Sequence, residues 1–330
     1  MEPEKEIGKW LQGYQPACIL MTANELKLFD AIAEEARTAE EVARDRSLSL
    51  NGLERLLNAL VALGIAARQG TGYRLKEEWV PFLTRRGAHS MAKWIQLSAD
   101  HLPVWERLPE FIRTGAPLTS VMDMLSGDPE KMRDFIDAMH DKALKAPQAI
   151  AQQVPLEDRR RLLDIGGGPG TYALEWARLY PRLQATVLDL EPVVAVAQEY
   201  IRRYGLEDRV DTLGADLTRT ELPEGYDLAL IANVLHMYPA QTARELVHRA
   251  VRTLEPGGRL IIHGFGTDDE GTTPLADALF SLQIGFLTEG GRAHPFPEME
   301  TWMREAGLTG LKSFRIEAMP TGVLTGLLPA

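Results

Sequence analysis

The sequence predicts an α/β protein: a mostly parallel seven-stranded sheet ending in an antiparallel C-terminal hairpin, with a small helical domain ahead of it. Three observations carry this. Seven short apolar runs occupy the second half of the chain: RLLDIGG, QATVLDL, RVDTLGADL, YDLALIANVL, RLIIHGF, KSFRIEAM and GVLTGLL. Helical patterns separate the first five, which is the alternation of βαβ units built on parallel strands. The link between the last two, around Pro320-Thr321-Gly322, is too short for a crossover, so those strands run antiparallel.

The elements ahead of the sheet follow from their periodicity. Residues 24–36 place Leu28, Phe29, Ile32 and Ala36 near one face, which predicts a helix. Thr38-Ala39-Glu40-Glu41 fits the capping box, in which Thr and Glu side chains satisfy the free N–H groups of a helix start. Leu53, Leu56, Leu57, Leu60 and Val61 recur at helical spacing, with Gly64 as the expected stop. IAARQGTGYRL then alternates around a Gly-Thr-Gly turn, as a hairpin does. Helices followed by a hairpin make a winged-helix pattern, and an N-terminal, essentially all-helical winged-helix domain is assigned to residues 1–85. Residues 86–155 form a helical linker rich in large apolar side chains, among them Met91, Trp94, Trp105, Phe111, Met122, Met124, Phe135 and Met139. The sheet domain takes residues 156–330.

Composition narrows the function. Lys and Arg number 36 against 47 Asp and Glu, a net charge of −11. The helix that would enter a DNA groove offers only Glu54 and Arg55 on its polar side, a poor surface for phosphate. Nucleic acid is therefore not an expected partner, and a dimerisation role for this domain is favoured over a DNA-binding regulator. The single cysteine, Cys18, rules out an intrachain disulfide or a thiolate metal cluster within the chain. MEPEKEIGKW is acidic and has no apolar h-region, and no run approaches the ~18 apolar residues of a membrane span. The expected location is cytoplasmic, with no membrane partner.

The chemistry concentrates at LLDIGGGPG, residues 162–170. A glycine-rich turn after a first strand lets a ligand approach the backbone closely. No lysine follows at P-loop spacing, and the third glycine of a dinucleotide fingerprint is missing, since Thr171 and Tyr172 follow Gly170. What remains is D-x-G-x-G-x-G: Asp164, Gly166, Gly168 and Gly170. A carboxylate there repels a pyrophosphate but suits a cationic amino-acid group, as at the methionine end of S-adenosylmethionine. Asp189 ends the second strand, where an acid accepts hydrogen bonds from ribose hydroxyls. Asp216 ends the third strand, within reach of an adenine amino group, with Leu217 to pack on the ring. His236 follows the fourth strand at its carboxyl end, and imidazole is the natural proton acceptor near neutral pH.

With these segments together, the chain resembles class I S-adenosylmethionine-dependent methyltransferases. Within them it is most similar to the plant-type small-molecule O-methyltransferases and their bacterial natural-product relatives, which include acetylserotonin and caffeate enzymes. The resemblance runs through the N-terminal region, FIDAMH (135–140), LLDIGGGPG, LDLEPVV (188–194), GADL, NVLHMYP (233–239), LEPGGRLII and TEGGR (288–292). It implies a Rossmann-like fold, a homodimer formed through the N-terminal domain, S-adenosylmethionine as cofactor, no metal, and an aromatic or polycyclic small-molecule acceptor. It implies His236 as general base, Asn233 and Leu190 near the cofactor, and Phe135, Met139, Met237, Phe286 and Leu287 around the acceptor. Asp268-Asp269-Glu270, the acidic cluster after the fifth strand, is expected to be a solvated loop rather than a Mg2+ site. The sequence also departs from the family: two carboxylates that support the base fall at Gly264 and Ala293. His263, His294 and Tyr238 stand nearby as candidate substitutes, each expected to be structural ahead of catalytic. The departure leaves room for a relative that uses the same cofactor for N- or C-methylation, decarboxylation or hydroxylation.

Overall fold

The structure is a computed structural model and describes residues 2–120, 123–124, 129–317, 319 and 321–330. Met122 and Pro320, used above, lie outside the described residues. The chain forms two compact units, Met1–Pro103 and Val104–Ala330, so the 86–155 linker is divided between them.

In the first unit, helices Pro3–Gln12, Tyr14–Glu25, Leu28–Ala31, Ala39–Arg46 and Leu50–Ala62 precede a hairpin of β1 (Ala66–Gln69) and β2 (Gly72–Leu75). The domain is thus a winged helix with a true β wing, not all-helical. The predicted helix over 24–36 is broken. Helix Tyr14–Glu25 ends, Lys27 turns left-handed at φ 55°, and one short turn of helix follows. The break swings Leu28, Phe29 and Ile32 together into the core of this unit, each at most 1% exposed. Burying three large side chains outweighs the strain of one left-handed residue, about 1–2 kcal/mol. Thr38 and Glu41 make the capping box in both directions. Gly64 takes φ 78° just past helix Leu50–Ala62, whose Leu53, Leu57 and Leu60 are buried.

The second unit is built on β3 (Arg161–Ile165), β4 (Gln184–Asp189), β5 (Val210–Gly214), β6 (Tyr226–Ala232), β7 (Leu254–Gly264), β8 (Thr309–Arg315) and β9 (Gly322–Leu327). Their order is β5-β4-β3-β6-β7-β9-β8. The first five pair in parallel, and β9 runs antiparallel between β7 and β8. Side chains alternate across the sheet. Leu162, Leu228 and Leu230 join one core with helices Ala146–Gln153, Thr171–Leu179 and Glu191–Tyr204. Leu163, Ile165, Ala229 and Ile231 join the other, with helices Ala240–Arg252 and Phe296–Glu305. Both faces are covered, so the parallel strands read as continuous apolar runs. The order reverses between β3 and β6, which opens a crevice beyond the carboxyl ends of those strands.

Candidate functional site

The glycine loop fills that crevice. Gly166, Gly168 and Gly170 all have positive φ, at 70°, 56° and 77°. The N–H groups of Gly166 and Gly167 donate to Leu188 O on β4 at 2.7 and 3.2 Å, which pulls the loop over the sheet edge. Gly168 N–H donates to Asp189 Oδ2 at 2.8 Å, and Leu190 N–H donates to Asp189 Oδ1 at 2.7 Å. Asp189 therefore shapes the loop from the next strand. Burial pushes its carboxyl up, against the hydrogen bonds from Leu190 and Gly168. Leu190 starts the following helix and is 39% exposed.

Asp164 lies beneath the loop and is fully buried. Neither carboxylate oxygen has a hydrogen-bond partner among the described residues. Burial pushes its carboxyl up to about 7; the polarity of the nearby Ala173 N–H opposes this without making a full hydrogen bond, and the Asp189 charge reinforces it. Asp216 is committed to its own turn: it accepts from Thr218 N–H at 2.8 Å and Thr218 Oγ1 at 2.7 Å, and those bonds hold its carboxyl low. Leu217 is buried in the core beside Leu188 and Ala215.

β6 ends in a strained corner. Asn233 is exposed with φ 56°, rare for a residue with a side chain, and its N–H donates to His263 O at 2.8 Å. The 3-10 turn Leu235–Met237 then carries His236 and Met237, both half-buried. This turn reaches the glycine loop directly, since a Cβ at Gly166 would lie 2.5 Å from Val234 Cγ2. The His236 ring stands edge-on to Phe280 at 4.8 Å and to Phe265 at 6.5 Å, and those two phenyl rings stack at 3.7 Å. Lys142 Nζ sits 5.2 Å from the Phe265 ring centre. Burial, with Lys142 and His294 adding positive potential, pushes the His236 imidazole down to about 3. Burial also lowers the Lys142 ammonium to about 8.

The expected acceptor residues divide. Phe135 and Met139 are half-buried on helix Pro129–Ala143. His140 anchors that helix: its Nδ1 meets Thr171 Oγ1 at 2.9 Å, just past the glycine loop, and its ring packs on Tyr200 at 4.3 Å. Phe286 and Leu287 are buried in a separate cluster with Val104, Trp105 and Phe111. The aromatic pair against His236 is Phe265 and Phe280 instead. Asp268 of the acidic cluster accepts from Thr272 N–H and from Thr273 N–H and Oγ1, and these bonds hold its carboxyl at about 2. It closes its own loop. Among the described residues no group of three or more His, Cys, Asp or Glu side chains is placed to hold a metal ion.

Residues 104–309 match the O-methyltransferase domain, and residues 9–78 match the O-methyltransferase dimerisation domain. The chain belongs to the O-methyltransferase family. This methyltransferase is 30% identical to 3-hydroxy-5-methyl-1-naphthoate 3-O-methyltransferase of Streptomyces sahachiroi, over 93% of the chain and 90% of that protein. An O-methyltransferase family protein from Burkholderia thailandensis superposes with a TM-score of 0.91 at 27% identity, over 100% of this chain and 99% of that one. PigF of Serratia, solved with S-adenosylhomocysteine, superposes with a TM-score of 0.88 at 25% identity, over 98% and 99%.

At the two positions where supporting carboxylates are expected, Gly264 and Ala293, the structure places a glycine and a buried alanine. A Cβ at Gly264 would meet Asn233 first, at the ordinary distance of 3.5 Å. Neighbouring His263 is turned away into the core, held by Tyr172 OH at Nδ1 (2.7 Å) and Thr321 Oγ1 at Nε2 (2.9 Å). His294, beside Ala293, bonds to the His236 turn itself: its Nε2 lies 3.1 Å from both Leu235 O and Tyr238 O. Phe265, Phe280 and Lys142 stand at the site without having been expected there. Phe265 was available to the same strand-end rule that found His236, for it follows the carboxyl end of β7. Phe280 and Lys142 lie inside helices and carry no such signal.

Proposed function

We propose that this protein transfers the methyl group of S-adenosylmethionine to a hydroxyl of an aromatic or polycyclic small molecule, with His236 taking the hydroxyl proton. The observation that carries the reading is the placement of His236: its ring stands edge-on to a stacked pair of phenyl rings, on a turn packed against the glycine loop. The residues fit the cofactor. Asp164 is a buried carboxyl without a donor, set behind the loop, where its charge favours a cationic ligand. Gly168 leaves open space where a Cβ would stand, and Asp216 and Leu190 border the ends of β5 and β4.

When bound, S-adenosylmethionine supplies an electrophilic sulfonium methyl. Phe265 and Phe280 hold the acceptor ring flat and exclude water. His236 accepts a hydrogen bond from the acceptor hydroxyl and takes its proton as the oxygen becomes acidic; the proton then leaves to solvent. Lys142, close by, favours the developing negative charge on that oxygen. Phe135 and Met139 extend the apolar wall from helix Pro129–Ala143. The dimerisation match supports a homodimer as the working form.

Calorimetric titration with S-adenosylhomocysteine, paired with turnover of hydroxynaphthoates by wild type and His236→Ala, tests this. The expected result is binding near one per chain in both, with turnover at least about 100-fold lower in the variant. Undiminished turnover would remove His236 from the mechanism.

A further inference from the structure

We infer that His294 is a positioning residue for the catalytic turn: its imidazole, donating from Nε2 to Leu235 O and Tyr238 O, holds in place the turn that presents His236 to the acceptor. The inference rests on the reading of His236 as proton acceptor. It assigns the support to a residue that neither the family carboxylate positions nor the family match supplies.

Three observations carry it. Both partners of Nε2 are carbonyl oxygens, at 3.1 Å each, so Nε2 must carry the proton. The two carbonyls flank His236, one on each side, so a single shared N–H ties both ends of the turn. Second, the imidazole has no freedom to do otherwise. Its side chain is 1% exposed and meets the edge of Trp302 at 5.1 Å. Third, the segment that carries it is moulded to the turn. A Cβ at Gly291 would fall 2.4 Å from His236 O, so the 288–294 backbone lies directly on that turn.

The other ring nitrogen shows that packing does not explain the histidine. Nδ1 is buried without a hydrogen-bond partner among the described residues. The nearest acid, Glu298, is 3.7 Å away and is engaged by Arg292 at 2.8 Å on each oxygen. An apolar residue of that size would bury no orphaned nitrogen. What an apolar residue lacks is the Nε2 donor.

Glutamine is the discriminating replacement. Its side-chain nitrogen lies as many bonds from Cα as Nε2 of histidine and offers two hydrogens, one for each carbonyl. The test follows the ring titration of His236 by NMR in the full-length protein, in wild type, His294→Leu and His294→Gln. Lys142 and His294 are the groups whose charge bears on His236, and the leucine variant removes one of them. In wild type, His294 is expected as the Nε2–H tautomer. In His294→Leu, the loosened turn lets His236 reach water, and its titration rises by about one pH unit or more. His294→Gln is expected to return it to the wild-type position, although it too lacks a titrating group at 294.

An Nδ1–H tautomer in wild type would overturn the inference. So would a folded leucine variant with an unmoved titration, or a folded glutamine variant that behaves like leucine. If leucine fails to fold, the wild-type tautomer and the glutamine variant decide alone. Failure of the catalytic reading is distinct: it appears as undiminished turnover in His236→Ala, whatever the titration shows.

Discussion

Gly166 and Gly168 share a positive φ but answer to different constraints. A Cβ at Gly166 would drive into Val234, at 2.5 Å, whereas one at Gly168 would meet nothing within 4 Å. Gly166→Ala is therefore expected to cost about 2–4 kcal/mol, left-handed strain plus overpacking. Gly168→Ala is expected to cost about 1 kcal/mol yet weaken S-adenosylhomocysteine binding at least about 10-fold, because its Cβ occupies the approach to the backbone. Thermal melts and calorimetry on the two variants separate these effects; unchanged binding in Gly168→Ala would mean the ligand does not pass there. His236 makes a second residue-scale prediction. An imidazole lowered to about 3 stays unprotonated through pH 5, so the acid limb of kcat should show no inflection near the ordinary histidine value of about 6.5. An inflection there in the pH–rate profile would mean that His236 is far wetter in the working enzyme. The low value was not legible in the sequence. NVLHMYP identifies a histidine at a strand end, but the low value comes from burial, with Phe265 and Phe280 packed against the ring, and from the positive potential of Lys142, all outside that segment.

Among elements, helix Leu275–Leu287 brings Phe280 to the site and is tied down by one buried acid. Asp277 is fully buried on its first turn and pairs with Arg315 on β8, which also donates to Gly266 O. Removing the cation leaves a carboxyl in the core, whereas removing the acid leaves an arginine that can reach water. Arg315→Met should therefore destabilise by about 2–3 kcal/mol, more than Asp277→Asn, because the arginine side is partly exposed. Denaturant unfolding of both variants checks the order, and equal costs would contradict it. The pairing joins residues 38 apart on a helix and a strand, and a sequence pattern that reports only faces and periods does not contain it. The same holds at the break near Lys27, where continuous helical periodicity concealed a left-handed residue. The expected face buries Leu28, Phe29 and Ile32, but Ala36, past the broken helix, is exposed.

For the whole molecule, charge and surface set the expectations. Four histidines, His140, His236, His263 and His294, are each lowered to between about 3 and 4, with burial the leading cause. Between pH 4 and 6.5 the unfolded chain therefore binds more protons at these sites than the native one, so stability rises with pH and is lost on acidification. Asp164, raised to about 7, opposes them with one proton, and Asp189 and Asp277, also raised by burial, oppose them further. At most three protons net correspond to at most about 4 kcal/mol per pH unit, so Tm should fall by several degrees, up to roughly 10 °C, from pH 7 to pH 5.5. A flat Tm in differential scanning calorimetry would mean the histidines are solvated. In the first unit, Trp10, Leu11 and Tyr14 are all more than 50% exposed, on the region matched to the dimerisation domain. Trp10→Glu with Leu11→Glu should shift sedimentation from dimer to monomer. Local sequence is enough for the sheet, its parallel strand pairs and the strand ends that carry the glycine loop, Asp189, Asp216 and His236. Alternation, turn residues and strand-end acids are local, and the covering helices leave such a sheet only one place to open. What surrounds His236 is set by the packing of distant segments. Its aromatic wall, its lowered basicity and its support from His294 arise where β6, β7, helix Leu275–Leu287 and the 288–294 segment converge, and desolvation and hydrogen bonding there depend on distance in space rather than along the chain.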